Sequence, residues 1–296
     1  MSNSTSPLWL IPFTFYQSQD VSDTDKLRQI AIEEIRQMRT ISTVKFKAEH
    51  ALPQPIVART QKIRPWEQWK GCMQNFARNI IECDNQCEIW IVGYAPASCW
   101  IYMGYLMQAA INMDFVIMSL IPMCKFSLVV RLSDLLDLPC TVEDVQKEYN
   151  FDFFESDNQT SMDMTQPGRT NRVLVVLLFA RDDVYKITQD KVDQAELTYD
   201  ISQVFICRPT RKSVFLKTND DRKTEVVAKN LGLLLQERFL GKELYLASRT
   251  EFDGHILFEI GRVLETHFFQ NVSLMENVQN RYTVSFELSS YIQPLV

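Results

Sequence analysis

The second half of this sequence repeats the layout of the first half. Residues 88–119 and 243–276 each begin with a short apolar strand, pass through a polar loop into a helix that contains a glycine, and end on a second apolar strand. These glycines are Gly104 and Gly261, and they follow the first Glu of each segment by 16 and 18 residues. A duplicated strand–helix–strand unit brings two equivalent strand-end loops near one axis, and ligands of open α/β sheets bind at such strand ends.

The similarity extends in both directions from these two segments. Matching elements come in the same order: apolar openings at 8–16 and 173–180, amphipathic stretches at 66–81 and 222–239, and closing strands at 125–132 and 281–288. Almost no residues are identical, so pattern and order alone support a duplication. The alternative is a chance similarity between two ordinary strand–helix–strand units.

The pattern predicts an α/β protein. Short apolar runs at 89–93, 173–180 and 244–247 are typical of strands covered by helices on both faces. Apolar residues at i, i+3 and i+4 predict helices at 24–38 and 224–239. Strands that alternate with helices form mostly parallel sheets with right-handed crossovers. We therefore expect two Rossmann-like halves that form an intramolecular pseudo-dimer.

A polar stretch separates the two periodic regions and contains the breaker pair Pro167 and Gly168. It predicts a first half at 1–160, a linker at 161–171 and a second half at 172–296.

Composition limits the classes of function. The chain has 296 residues, 46% of them apolar and 23% charged, with a net charge of −6. The negative charge disfavours a protein that coats duplex nucleic acid, and no apolar run is long enough for a membrane span. The N-terminus lacks the pattern of a secretory signal, and seven cysteines without framework spacing indicate reduced thiols and a cytoplasmic location. No cofactor is expected.

The loop at 93–100 is the first candidate site. It leaves a strand and enters a helix, where free backbone N–H groups and the helix dipole favour an anion. Ser98 can cap this helix or hold a phosphate, and Tyr94, Trp100 and Tyr102 can stack on bases. The alternative is a plain helix cap with the aromatic rings packed in the core.

The equivalent loop at 248–255 is chemically different. Arg249 can pair with a phosphate through its planar guanidinium group. Thr250 offers a hydroxyl, Asp253 is a candidate N-cap, and His255 can face a ligand or act as an acid or base. A histidine near a helix start is more often a surface or capping residue.

Further polar residues follow other strands. Thr14 and Arg181 come after the first strand of each half, and Arg208 and Arg211 follow the strand at 203–207. Basic clusters of this kind often lie on a solvated surface. The sequence has no phosphate-binding P-loop, no nucleophile elbow and no zinc-protease motif, and its Cys and His spacing disfavours a structural zinc site.

The segments 89–106 and 244–264 resemble the SAVED domain, which is similar to a fused pair of CARF (CRISPR-associated Rossmann fold) units. Proteins of this kind sense cyclic oligonucleotides made by antiphage CBASS or type III CRISPR systems, with the ligand held where the two halves meet. By position alone, the resemblance implies a ligand site at Tyr94, Pro96, Ser98, Arg249, Thr250 and Asp253.

Such sensors usually carry a fused effector domain. Here the predicted strands run from near Leu8 to near Ser289, which leaves no room for one. The resemblance therefore implies a stand-alone sensor that signals through a separate effector protein or by self-assembly. Two alternatives stay open: a ring-nuclease-like phosphodiesterase with Arg249 or Lys212 stabilising charge and His255 as the base, and an interaction subunit without a ligand.

Overall fold

The elements of the chain follow the order expected from the repeat. In this computed structural model the described residues are 8–13, 15–17, 29, 32–33, 44–46, 57–58, 64–81, 88–93, 95–109, 115–120, 126–128, 151–155, 171–177, 198–209, 222–248, 254–278 and 281–288. The strands are β1 (Leu8–Pro12), β2 (Tyr16–Gln17), β3 (Val44–Phe46), β4 (Val57–Ala58), β5 (Glu88–Gly93), β6 (Phe115–Leu120), β7 (Phe126–Leu128), β8 (Phe151–Glu155), β9 (Arg172–Leu177), β10 (Gln203–Pro209), β11 (Glu243–Ser248), β12 (Asn271–Val278) and β13 (Arg281–Leu288). The helices are α1 (Trp66–Ile81), α2 (Ala97–Leu106), α3 (Arg222–Phe239) and α4 (Gly254–Val263), with 3-10 turns at Met107–Ala109 and Thr266–Phe268.

The two large sheets share one strand order. The first is β3-β1-β5-β6-β7, and the second is β10-β9-β11-β12-β13 with β8 added beside β10. In both sheets the central strands are parallel, while β7 and β13 run antiparallel to their neighbours β6 and β12. The prediction of an α/β fold with mostly parallel sheets is therefore confirmed. Strand β8 precedes the predicted linker but pairs with β10 of the second sheet, and the boundaries of the two halves stay a prediction.

Most predicted elements coincide with observed ones. The strands expected at 89–93 and 244–247 are β5 and β11, and the helix expected at 224–239 is α3. The strand expected at 173–180 is β9 as far as Leu177. Most of the helix expected at 24–38 lies outside the described residues.

The described residues form one large core cluster between the sheets and helices and a smaller cluster on the other face of the second sheet, around Leu174 and Val176. Helix α1 contributes a face spaced at one helical turn, formed by Trp69, Met73, Phe76, Ala77 and Ile80. Strand β9 is buried on both faces, as expected for a central parallel strand. The large core joins residues of both halves in one cluster. Among the described residues no helix is long and apolar enough to span a membrane.

Helices α2 and α4 cross in close contact at the repeated glycines. A Cβ atom on Gly104 would overlap the backbone carbonyl of Phe258, and one on Gly261 would overlap that of Ile101. Each glycine therefore lies against the carbonyl three residues before the other glycine. Gln108 then donates from Nε2 to the carbonyls of Gly261 (2.9 Å) and Leu264 (2.8 Å), at the end of α4. These contacts are reciprocal in the positions they join, and the pseudo-dimer of two halves stays a prediction.

The β12–β13 hairpin of the second half packs on α1 and α2 of the first. The ring of Phe286 stacks on Tyr102, with centroids 4.6 Å apart and planes at 10°, and meets Trp66 edge-on at 5.6 Å. The register shifts beside Ser285, because Leu274 pairs with Phe286 while Met275 pairs with Val284. This β-bulge changes which face of the sheet the β13 side chains occupy.

Candidate functional site

The first turn of α2 lies at the boundary of the two halves. Pro96 is its N-cap residue, with φ −56° and ψ 152°, and its carbonyl accepts bonds from the N–H groups of Cys99 (3.1 Å) and Trp100 (3.3 Å). No side chain caps the helix. The prediction that Ser98 is the cap is therefore wrong: Ser98 lies inside the first turn, and proline sets the required extended backbone at the cap position.

A carboxylate from the other half occupies this helix terminus. The N–H of Ser98 donates to Oε2 of Glu276 in β12 over 3.0 Å. Side chains alternate along a strand, so Glu276 shares the helix-covered face of β12 with Val272 and Leu274. Helix N-termini attract anions, and here the anion is part of the chain.

The thiol of Cys99 lies in the same region and is fully buried. Burial raises its pKa well above the usual value, the charge of Glu276 raises it further, and the guanidinium of Arg64 has a smaller opposite effect. A thiol with a raised pKa is a poor nucleophile. Cys99 is thus a core residue, close to the acid Glu276 and the base Arg64.

The aromatic side chains of α2 belong to the core. Trp100 is 3% exposed, and its ring centroid lies 4.6 Å from that of Phe13. Phe13 in turn contacts Phe15 and Phe76. This packing leaves no open face on Trp100 for a base. The ring is packed in the core, which was the alternative to the predicted base stacking.

Tyr102 is buried too, at 2% exposure, between Phe286 and Tyr105. Its hydroxyl accepts a hydrogen bond from Nε2 of Gln74 at 3.1 Å. Burial raises the pKa of Tyr102 to about 12, although the bond from Gln74 acts in the opposite direction. The side chain therefore stays neutral over the physiological range.

The titration of Tyr102 gives a testable effect on stability at high pH. Between its unfolded pKa near 10 and the folded value of about 12, the unfolded chain releases the proton and the folded chain keeps it. The contribution of Tyr102 to the free energy of unfolding is fully present below pH 10 and is lost as the pH rises towards 12. Between pH 9 and pH 12 we expect the free energy of unfolding of the original chain to fall by up to about 2–3 kcal/mol more than that of the Tyr102→Phe variant. Urea unfolding across this range measures the difference, and equal losses would refute it.

A cavity of about 580 Å³ opens beside Arg64. It lies between the start of α1 and strand β13, and its charged lining residues are Arg64, Glu67, Lys70 and Glu287. Among the described residues no group of three or more His, Cys, Asp or Glu side chains is arranged to hold a metal ion.

Most of the other predicted site residues lie outside the described part of the chain: Thr14, Tyr94, Arg181, Arg211, Arg249, Thr250 and Asp253. Arg208 lies in β10 and His255 in the first turn of α4, where the description extends to the backbone alone. The ligand-binding roles of these residues remain predictions.

Sequence reasoning missed Glu276. A signal for it exists, because an acid that follows Val272 and Leu274 on the apolar face of a strand needs a partner within the fold. Nothing in the local sequence identifies that partner, since Ser98 lies 178 positions away.

Comparison with known proteins gives similarity at the level of the fold. No protein-family model matches this sequence, and no curated protein matches it. The structure is similar to the Acinetobacter baumannii Cap4 SAVED/CARF-domain receptor determined with the cyclic trinucleotide 3'3'3'-cAAA, with a TM-score of 0.51, 14% identity, and coverage of 93% of this chain and 51% of the receptor. For the Moraxella osloensis Cap4 SAVED/CARF-domain receptor the TM-score is 0.47 and the identity 12%, over 85% of this chain and 48% of the receptor.

The chain thus spans about half the length of these receptors. It has a SAVED/CARF-like fold, as the sequence resemblance implied.

Proposed function

We propose that this chain, with its SAVED/CARF-like fold, is a sensor that binds a cyclic oligonucleotide second messenger in prokaryotic antiphage defence, of the CBASS or type III CRISPR kind. One observation carries the proposal: the fold is shared over 93% of the chain with a receptor whose structure was determined with a cyclic trinucleotide. The proposal includes a signal passed to a separate effector protein or through self-association, and a cytoplasmic location.

The packing of α2 on α4 supports a ligand site between the halves. Each helix follows the loop at the end of a central parallel strand, where ligands of α/β sheets bind. The helices cross near Gly104 and Gly261, so each N-terminus lies about 10 Å along its axis from the crossing at about 1.5 Å per residue. A ligand that extends across this crossing would meet both helix N-termini.

The predicted contact residues fit such a ligand chemically. Arg249 would pair with a phosphate, while Thr250 and Asp253 would contact sugar or base groups. No observation supports the phosphodiesterase alternative, because Arg249 and Lys212 lie outside the described residues and only the backbone of His255 is described.

Thermal unfolding with a panel of cyclic di-, tri- and tetranucleotides tests the proposal. A ligand that binds only the folded state adds about 2.7 kcal/mol of stability at about 100 times its Kd. For a chain of this length we expect Tm to rise by roughly 5–10 °C with the correct member of the panel. A linear oligonucleotide of the same composition serves as the control. Failure of every cyclic member to raise Tm would refute the proposal.

Two variants with the same charge change refine this test. Arg249→Ala should weaken binding by about tenfold or more, because a charge-assisted bond to phosphate is lost. Lys229→Ala, at an exposed position of α3, should leave binding unchanged. Chromatography of the recovered ligand separates a sensor, which returns it intact, from a phosphodiesterase, which returns it opened.

A further inference from the structure

The anion-binding end of α2 is already filled by Glu276. The hydrogen bond of 3.0 Å from the Ser98 N–H to Oε2 of Glu276 joins the halves. Ser98 lies in α2 of the first half, and Glu276 lies in β12 of the second sheet. The carboxylate satisfies one of the free N–H groups at the helix start and faces its positive end. Any ligand phosphate that approaches this end of α2 meets a negative charge first.

The hydroxyl of Ser98 provides a second, independent observation. The residue is 1% exposed, and its Oγ atom has no hydrogen-bond partner. Buried hydroxyl groups in folded proteins nearly always have a partner. Together with the N–H that binds Glu276, this unpaired hydroxyl gives the helix terminus two donors, which suit an acceptor with more than one oxygen, as a phosphate has.

We propose that Glu276 is an internal competitor for the phosphate of the ligand, which binds at the α2 terminus only when this carboxylate leaves it. The proposal rests on the proposed function and adds its regulation. A phosphate would accept from both the N–H and the hydroxyl of Ser98, whereas Glu276 accepts from the N–H of Ser98 and not from its hydroxyl.

Replacement of Glu276 by a phosphate also affects the β12–β13 hairpin. Glu276 lies in β12, and the adjoining strand β13 carries Phe286, which contacts Tyr102 and Trp66 of the first half. Release of Glu276 removes its hydrogen bond to Ser98 from this attachment, while the aromatic contacts of Phe286 remain. Ligand binding is thereby coupled to how firmly the hairpin is held on the first half, since a ligand shifts a conformational equilibrium only through its different affinities for the two states.

The full-length chain and three variants test the proposal. Glu276→Gln removes the charge but keeps an acceptor, so that the fold is preserved, and Glu276→Ala empties the position. Glu287→Gln is the control, because it makes the same charge change at an exposed residue of the neighbouring strand. The first probe is inorganic phosphate, compared with chloride at equal ionic strength. Phosphate should raise the Tm of both Glu276 variants and leave the original chain and the control unchanged.

The second probe is 3'3'3'-cAAA, or the panel member that stabilises the chain most. We expect both Glu276 variants to bind it about fivefold to thirtyfold more tightly than the original chain, which corresponds to about 1–2 kcal/mol for a charge at a partly buried helix terminus. Glu287→Gln should bind it unchanged.

The two ways of failing are separable. If the original chain binds a cyclic oligonucleotide and the Glu276 variants bind it equally well or less well, the competitor role is wrong and the sensor function stands. If no chain binds any cyclic oligonucleotide but phosphate stabilises the Glu276 variants alone, the sensor function is wrong and the competition at the helix terminus is supported. If phosphate stabilises no chain and the affinities are equal, Glu276 is a structural hydrogen-bond acceptor only.

Discussion

Replacement of Gly104 or Gly261 by alanine is expected to destabilise the fold by about 3 kcal/mol or more at each position. The added Cβ would overlap a main-chain carbonyl of the opposing helix, that of Phe258 or of Ile101. A backbone carbonyl cannot turn aside as a side chain can, so the two helices must separate. The gain in helix propensity from Gly to Ala, about 1 kcal/mol, offsets only part of this cost. We expect Tm to fall by roughly 5–10 °C.

The chain contains a matched control for this substitution. Gly71 lies within α1, and a Cβ there would meet no atom within 4 Å, so Gly71→Ala should stabilise the chain by up to about 1 kcal/mol. The double variant Gly104→Ala with Gly261→Ala should cost less than the two single changes together, because the first already separates the helices. Unchanged stability in either single variant would show that the crossing is not as close as described.

Truncation of Phe286 is the second large effect, with an expected cost of about 3–5 kcal/mol for Phe286→Ala. The side chain is 1% exposed and contacts Tyr102 and Trp66 across the boundary of the halves. Each aromatic pair adds about 0.5–1.5 kcal/mol beyond the buried area. Urea unfolding followed by tryptophan fluorescence measures the loss.

Two further variants separate size from stacking. Phe286→Leu keeps most of the apolar volume and should lose less than half as much stability as Phe286→Ala. Leu240→Ala truncates a side chain that is 64% exposed and should change stability by no more than about 0.5 kcal/mol. A loss in Phe286→Ala no larger than that in Leu240→Ala would mean that the hairpin does not attach the second half to the first.

The parts of the fold that could be predicted are those with a local periodic signal. Strand β5 and helix α1 follow from short apolar runs and from one-turn spacing, and the repeated order of such elements predicted that both sheets would be mostly parallel. The antiparallel pairing of β8 with β10 has no local signal, because its register depends on strands far apart in the sequence.

The sequence predicted an anion-binding helix terminus at the start of α2, but not which group occupies it. The polar loop before α2 indicated a helix terminus suited to an anion, and that terminus does bind one. Trp100 carried an ambiguous signal, because an aromatic side chain at a helix start suits both a base and a core, and only the position of Phe13 decides between them. The anion is Glu276, which lies 178 positions from Ser98 and therefore belongs to no local motif.

The close crossing of α2 and α4 also constrains how the protein is made. Every residue of α2 from Ser98 to Leu106 is buried, partly by a helix that leaves the ribosome only after the chain has been extended to Val263. At about 5–20 residues per second this takes roughly ten seconds or more. During that interval the nascent first half carries an apolar helix without its partner, so folding of the first half is completed only when the second half has been made.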